Sequence, residues 1–213
     1  MGIRMVFFDC DGVLTDNDSS WRVLHEYFGS KDNSYFADLY RRGIISYLDW
    51  MKIDIALMIH SYGRPIMRRE VEEALKDIRV VDEAWRVFKE LRRRGLFLGV
   101  ISSGVDILVK RVCRELRPDV CLYNELRFIG DELVPGGKPN VPLHEKPAII
   151  EEIAIKMGVS IEEVAYVGDS SWDEHVFKRV GLGIALRKCG PKCSSAKEYI
   201  ESLAELPSIL DRY

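Results

Sequence analysis

The run Val6-Phe7-Phe8 stops abruptly at Asp9-Cys10-Asp11-Gly12-Val13, and that junction limits what the chain can fold into. The apolar run reads as a short buried strand. If the extended path continues past Asp9, alternation puts Asp9 and Asp11 on one side and Cys10 on the other. Open α/β sheets bind ligands at the carboxyl ends of their strands. Gly12 allows a sharp turn there and a close backbone approach to a ligand. Two carboxylates this near each other do not both ionise unaided: a cation sits between them, or one keeps its proton. Either arrangement suits phosphoryl transfer, with one aspartate attacking, the other moving a proton and a divalent cation offsetting charge. An acidic turn after a strand is the plain alternative.

A long helical stretch follows. Ser19 or Ser20 can cap a helix carrying Trp21, Leu24 and Phe28, stopped by Gly29. Ser34 can cap a second, with Phe36, Leu39 and Tyr40, stopped by Gly43. Ser46 and Asp49 suggest a capping box for a third, with Trp50, Ile53, Leu57 and Met58, ending near Gly63. A fourth covers about 67–77. Their apolar stripes need partners, so a small helical bundle inserted after the first strand is expected. Strands at 96–101, 120–123, 164–167 and 183–186 then alternate with helices, joined by a hairpin at 126–134 around Gly130-Asp131. A Pro- and Gly-rich loop is expected at 135–144 and a helical tail from Ser194, broken at Pro207. This order predicts an α/β fold with a doubly wound parallel sheet. The core would comprise residues 1–15 and 81–213, and the helical insertion 16–80. With 213 residues and 47% hydrophobic content, the chain can bury one sizeable core plus a smaller unit.

Predicted strand ends carry what a phosphate and a cation need. The first brings Asp9 and Asp11, and the second brings the hydroxyl of Ser102 beside Ser103-Gly104. The fourth brings Gly168-Asp169-Ser170-Ser171-Trp172-Asp173. Lys146 stands before Pro147, at a predicted helix start that adds positive potential for an anion. Singly, each has an ordinary explanation: Ser102 as a cap, Lys146 as solvated surface, Asp169 and Asp173 as a cap and first turn. Their arrival together at matching strand ends is what singles them out.

This ordered set resembles the haloacid dehalogenase-like hydrolase superfamily in its phosphatase branch. The resemblance rests on Asp9-Cys-Asp11-Gly-Val, Ile101-Ser102-Ser103-Gly104, Lys146 and Gly168-Asp169-Ser-Ser-Trp-Asp173, and covers nearly the whole chain. It implies a Rossmann-like core with an inserted helical cap. It implies that Asp9 attacks phosphorus to form an aspartyl phosphate, and that Asp11 works as general acid and base. It implies Mg²⁺ at the Asp9 carboxylate, the Asp11 backbone carbonyl and Asp169, with Asp173 behind them. Ser102, Ser103 and Lys146 would hold the phosphoryl group. Within the superfamily the chain is most similar to phosphoserine phosphatases, through cap length, Gly43-x-x-Ser46-Tyr47, Ser102-Ser103-Gly104-Val105-Asp106 and Tyr123-Asn124. It departs from them in three places. Asp18 stands for a glutamate, and Trp172 for an asparagine. Asp54 aligns with an arginine that grips the serine carboxylate, so it should repel that carboxylate unless Lys52, Arg41 or Arg42 neutralises it.

The expected substrate is a small phosphorylated metabolite, phosphoserine first, with a sugar or organic-acid phosphate as the alternative. A phospho-accepting receiver domain shares an acidic pair, a hydroxyl and a lysine. It has adjacent rather than spaced acids and no insertion. No Gly-x-Gly-x-x-Gly follows the first strand, which disfavours a dinucleotide-binding protein. The formal net charge of −3 argues against a nucleic-acid surface, and no apolar run is long enough to span a bilayer. No signal peptide precedes the first strand, and a cytoplasmic location is expected. The five cysteines form an odd, scattered set, so Cys189 and Cys193 are expected as plain thiols, with a disulfide the alternative.

Overall fold

The computed structural model describes residues 2–31, 33–187, 189 and 193–213. Strand β1 (Met5–Phe8) is buried along its whole length. It pairs in parallel with β2 (Phe97–Val105) on one side and β5 (Val164–Gly168) on the other. Adding β3 (Val120–Ile129), β4 (Glu132–Lys138), β6 (Leu182–Leu186) and β7 (Glu198–Ile200) gives the order β4-β3-β2-β1-β5-β6-β7. Only the β3–β4 hairpin is antiparallel among these pairings.

Alternation along β1 divides the core into two layers. Val6 and Phe8 pack with residues of α5 (Asp82–Arg93) and α6 (Asp106–Leu116), including Val87, Phe88, Leu108 and Val112. Met5 and Phe7 face the other layer, with Ile150 and Ala154 of α7 (Lys146–Lys156) and Phe177 of α8 (Glu174–Phe177). A strand covered on both faces reads as continuous hydrophobic sequence, as this one does.

Between β1 and β2 stand α1 (Ser20–Tyr27), α2 (Ser34–Arg41), α3 (Tyr47–Tyr62) and α4 (Arg68–Leu75). Chain entry and exit are tied together: Thr15 bridges Val80, and the Asp16 N–H donates to the Arg79 carbonyl at 3.1 Å. The Ser46–Asp49 capping box opens α3, and Gly63 closes it at φ 76°, where a Cβ is disfavoured. The helices do not bury their apolar faces only against one another. Leu24, Phe28, Ile55, Met58, Val71 and Leu75 share a cluster with Val109 and Val112 of α6 and with Leu126 and Leu133 of the hairpin. Arg111 of α6 adds hydrogen bonds to the carbonyls of Leu75 (2.8 Å) and Ile78 (2.6 Å).

Several local expectations change. Strand β2 runs on through Ser102-Ser103-Gly104, because its far end continues to pair: Val105 lies opposite Asn124 after a register shift. The tail is not helical from Ser194. Residues 198–200 add β7 to the sheet edge beside β6, with Ile200 buried and Tyr199 exposed. Pro207 opens α9 (Leu206–Leu210) rather than breaking a helix, since proline fits the first turn. Cys113 and Cys121 form a disulfide, 2.04 Å, joining α6 to β3. Cys189 and Cys193 are also disulfide-paired, not plain thiols: their Cα atoms lie 5.5 Å apart, within bridging distance. Cys10 is a buried free thiol. Among the described residues no helix is long and apolar enough to cross a membrane.

Phe7 lies opposite Gly99 in the β1–β2 register, and a methyl group on Gly99 would overlap the Phe7 ring. Gly99→Ala is expected to lower stability by roughly 1–3 kcal/mol through overpacking at the strand that carries Asp9. Urea unfolding measures this; an unchanged midpoint would contradict the packing described.

Candidate active site

The site forms at the carboxyl ends of β1, β2 and β5. The extended path runs past Phe8, since the Asp9 N–H still donates to the Val167 carbonyl (3.0 Å) and Cys10 shares the face of Val6 and Phe8. The Cys10 carbonyl accepts from the Leu14 N–H (2.8 Å) and the Thr15 hydroxyl (3.1 Å), so a turn carries Asp11 back. Asp9 thus leaves the strand end on the face opposite Cys10, and the turn that begins at Cys10 brings Asp11 to the same site. Gly12 sits at φ 75°, and a Cβ there would overlap the Asp169 carboxylate. Only a glycine lets the Asp11–Gly12 backbone and Asp169 meet this closely.

Lys146, the first residue of α7, is completely buried. Its three protons have three partners: Asp9 Oδ2 at 2.6 Å, the Tyr166 hydroxyl at 3.1 Å and Asp173 Oδ1 at 3.3 Å. Burial disfavours the ammonium, yet Asp9 and then Asp173 hold its pKa above the usual lysine range. Asp173, also fully buried, further accepts from the Tyr166 hydroxyl (2.5 Å) and from the N–H groups of Asp169 (3.2 Å) and Ser170 (3.1 Å). It thereby holds the loop that carries Asp169. Burial pushes Asp9 up to about 6, against the pull of Lys146 and with the push of Asp173. Burial, then the Asp9 and Asp173 charges, push Asp169 up to about 8. The site holds more negative charge than Lys146 offsets.

Asp11 is held from the insertion. Its Oδ1 accepts from Asn17 Nδ2 (3.0 Å), and its Oδ2 from the Ser20 N–H (2.8 Å) and hydroxyl (2.6 Å). The Ser20 oxygen also accepts from the Val105 N–H at 3.2 Å, tying α1 to the end of β2. Ser102 is buried and its oxygen accepts from the Gly104 N–H at 3.0 Å. A Cβ on Gly104 would fall 2.8 Å from Asp11 Oδ2 and 3.1 Å from Ser102 Oγ, so these two groups flank one small space. Ser103 is different. Its hydroxyl donates to the Val141 carbonyl at 2.7 Å, so it is engaged away from Ser102.

The residues expected to touch substrate from the insertion are dispersed. Asp18 pairs with Arg22 (2.8 Å), and Lys52 with Asp49 (3.5 Å), both at exposed positions. Asp54, by contrast, is not at the surface. It is buried inside the helical insertion, where Asn33 donates to it at 2.6 Å and His25 lies 3.5 Å away. Sequence reasoning missed the aromatic seam between insertion and core. Tyr40 lies 5.3 Å from Trp50, 6.1 Å from Trp172 and 4.7 Å from His144, ring centre to ring centre. Arg41 covers Trp172 at 4.2 Å. A cavity of about 380 Å³ opens beside this seam, lined by Arg41, His144, Ser171, Trp172, Glu174 and His175. A larger depression of about 530 Å³ lies between α5 and the end of α6 and holds none of the constellation. Tyr166 was also missed, since nothing in an apolar strand sequence marks which tyrosine meets a lysine.

Among the described residues no three His, Cys, Asp or Glu side chains form a ready metal cage. The donors present are hard oxygens: the Asp9 and Asp169 carboxylates and the adjacent Asp11–Gly12 backbone. That sparse set suits Mg²⁺, which keeps several waters and binds through one or two carboxylates plus phosphate.

The family described as haloacid dehalogenase-like hydrolase matches residues 3–181. A phosphoserine phosphatase of Methanocaldococcus jannaschii is 27% identical over 184 residues, 85% of this chain and 84% of that protein. One from Archaeoglobus fulgidus is 28% identical over 203 residues, 95% of this chain but only 55% of that protein. Among solved structures, a substrate-bound phosphoserine phosphatase complex superposes with a TM-score of 0.81 at 24% identity, covering 100% of this chain and 99% of that one. At that identity the likeness is one of fold.

The raised acids have a consequence for stability. Both start from an ordinary value of 3.8, so between about pH 4 and about pH 8 the folded chain binds more protons than the unfolded chain. Their contribution to stability therefore falls as pH rises through that window. In chelator, the melting temperature is expected to fall between about pH 5 and about pH 8. Asp169→Asn should flatten the slope above about pH 6 and melt higher than the parent at pH 8. Identical slopes for both proteins would contradict this charge balance.

Proposed function

The chain belongs to the haloacid dehalogenase-like hydrolases and is a phosphoric monoester hydrolase, and from that premise we propose that it hydrolyses a small phosphorylated metabolite, phosphoserine first, through an aspartyl phosphate on Asp9 with Mg²⁺ as cofactor. The observation that carries this reading is the hydrogen-bonded Asp9–Lys146–Asp173 core beside the half-buried carboxylates of Asp11 and Asp169.

An Asp9 oxygen attacks phosphorus as the ester P–O bond breaks, and Asp11 gives a proton to the departing oxygen. Asp11 then takes a proton from water as that water attacks phosphorus, releasing inorganic phosphate and restoring the Asp9 carboxylate. Lys146 fixes the Asp9 carboxylate by holding Oδ2, while Oδ1 accepts from the Cys10 N–H at 2.7 Å. Ser102, with its oxygen already accepting, keeps its proton for a phosphoryl oxygen. Asp9, Asp169 and the Asp11 carbonyl would hold Mg²⁺, whose charge offsets that of the acids and the phosphate. Asp173 orients the Asp169 loop.

The insertion 16–80 acts as the cap that selects the leaving group. With Asp54 inside the cap, its charge no longer opposes a substrate carboxylate. Asn17 Oδ1 and Trp50 Nε1 are buried without a hydrogen-bond partner. Asn17 cannot exchange its amide ends without setting an oxygen against the Asp11 carboxylate. One orphan acceptor and one orphan donor match the ammonium and carboxylate of phosphoserine. Asp18 and Lys52, in exposed and therefore weak pairs, add charges of the same two signs.

Asp9→Asn is expected to keep the fold and lose turnover by on the order of 10³-fold or more, and exhaustive chelation should stop the parent enzyme until Mg²⁺ is restored. Substantial activity in either case would refute the mechanism. In a panel of phosphorylated metabolites, phosphoserine should be the best substrate. Trp50→Phe, which removes the indole N–H and trims the ring, should raise KM about fivefold for phosphoserine and less for glycerol phosphate. Equal changes on both would remove Trp50 from the carboxylate site.

A further inference from the structure

The Ser103 carbonyl, one residue past the phosphate-binding hydroxyl, receives three hydrogen bonds. Tyr47 of α3 donates its hydroxyl at 2.8 Å, Trp21 of α1 its indole N–H at 3.2 Å, and Asn124 of β3 its amide at 3.1 Å. Two of the three donors belong to the helical insertion. A peptide group is planar and trans, so its C=O and the following N–H point in opposite directions. Fixing the Ser103 carbonyl toward the insertion therefore aims the Gly104 N–H the other way, onto Ser102 Oγ at 3.0 Å. That bond occupies an oxygen lone pair of Ser102 and leaves the hydroxyl proton to donate elsewhere. Burial holds the Tyr47 hydroxyl firmly in its protonated, donating form.

We propose that Tyr47 and Trp21 are positioning residues, which hold the Ser103–Gly104 peptide so that Ser102 presents its proton to the phosphoryl group only while the helical insertion is seated on the core. This rests on the phosphatase reading above. It makes the insertion part of the phosphate site as well as the wall around the leaving group. Asn124 serves as the fixed half of the clamp. It also brackets Val141, donating to its carbonyl at 3.2 Å and accepting from its N–H at 2.7 Å. The two donors from the insertion are the half that can leave.

The test uses p-nitrophenyl phosphate as substrate and inorganic phosphate as competitive inhibitor, with the whole 213-residue chain. Tyr47→Phe removes one hydroxyl and should weaken phosphate inhibition about fivefold, the worth of one hydrogen bond. Ser102→Ala should weaken it by at least as much. In the Ser102→Ala background, Tyr47→Phe should then have almost no further effect, because its influence runs through Ser102. A role confined to holding the insertion in place would give the same loss in both backgrounds, and that result overturns the proposal. So does unchanged inhibition in Tyr47→Phe. If Tyr47→Phe melts much below the parent, Trp21→Phe, which removes only the other donor from the insertion, is put through the same cycle with the same criteria. A parent enzyme with no turnover of any phosphoester would sink the phosphatase reading; an active parent with additive losses sinks the relay alone.

Discussion

Everything in the site is arranged around one buried ammonium. Lys146 is removed from water completely, which costs several kcal/mol for a lone ion. It is tolerated because Asp9, Asp173 and the Tyr166 hydroxyl meet all three of its protons. Those partners come from β1, from the loop after β5 and from β5 itself, so the ion can be satisfied only when the sheet order brings the strands together. In return the lysine fixes Asp9 in one orientation and, through Asp173, steadies the loop bearing Asp169. Removing one member would leave the others as uncompensated buried charges.

The same arrangement leaves the site short of positive charge. One ammonium faces three carboxylates, and burial raises two of them well above the ordinary aspartate range. A fold that needed only stability would gain from fewer acids here. Stored charge of this kind is common where a cation and an anionic substrate are to be bound together.

The helical insertion meets this centre at two levels. Ser20 and Asn17 hold Asp11, while Trp21 and Tyr47 hold the Ser103 carbonyl. Farther out, Tyr40 stacks on His144, and the rings of Trp50 and Trp172 pack at a tilt across the seam. The apolar face of the insertion is not self-contained, since it shares its cluster with α6 and the β3–β4 hairpin. Its position is thus set by the core it covers, and the polar contacts inherit that precision.

Much of this is legible in the chain itself. A buried strand ending in Asp9-x-Asp11-Gly12, helices delimited by Ser46 and Gly63, and polar residues at successive strand ends all follow from local rules of periodicity, capping and turn formation. These are short-range properties, carried by neighbouring residues. The sequence alone therefore determined the fold class and the acid set at the strand ends. It did not determine which groups meet across the fold. The direction of the Asp54 side chain, the pairing of Cys113 with Cys121, the strand at 198–200 and the reach of Tyr166 to Lys146 depend on register and packing between distant segments. So do the two donors that the insertion brings to the Ser103 carbonyl, which lie 82 and 56 residues away in sequence. Periodicity says which face of an element is buried, and only the tertiary structure says against what.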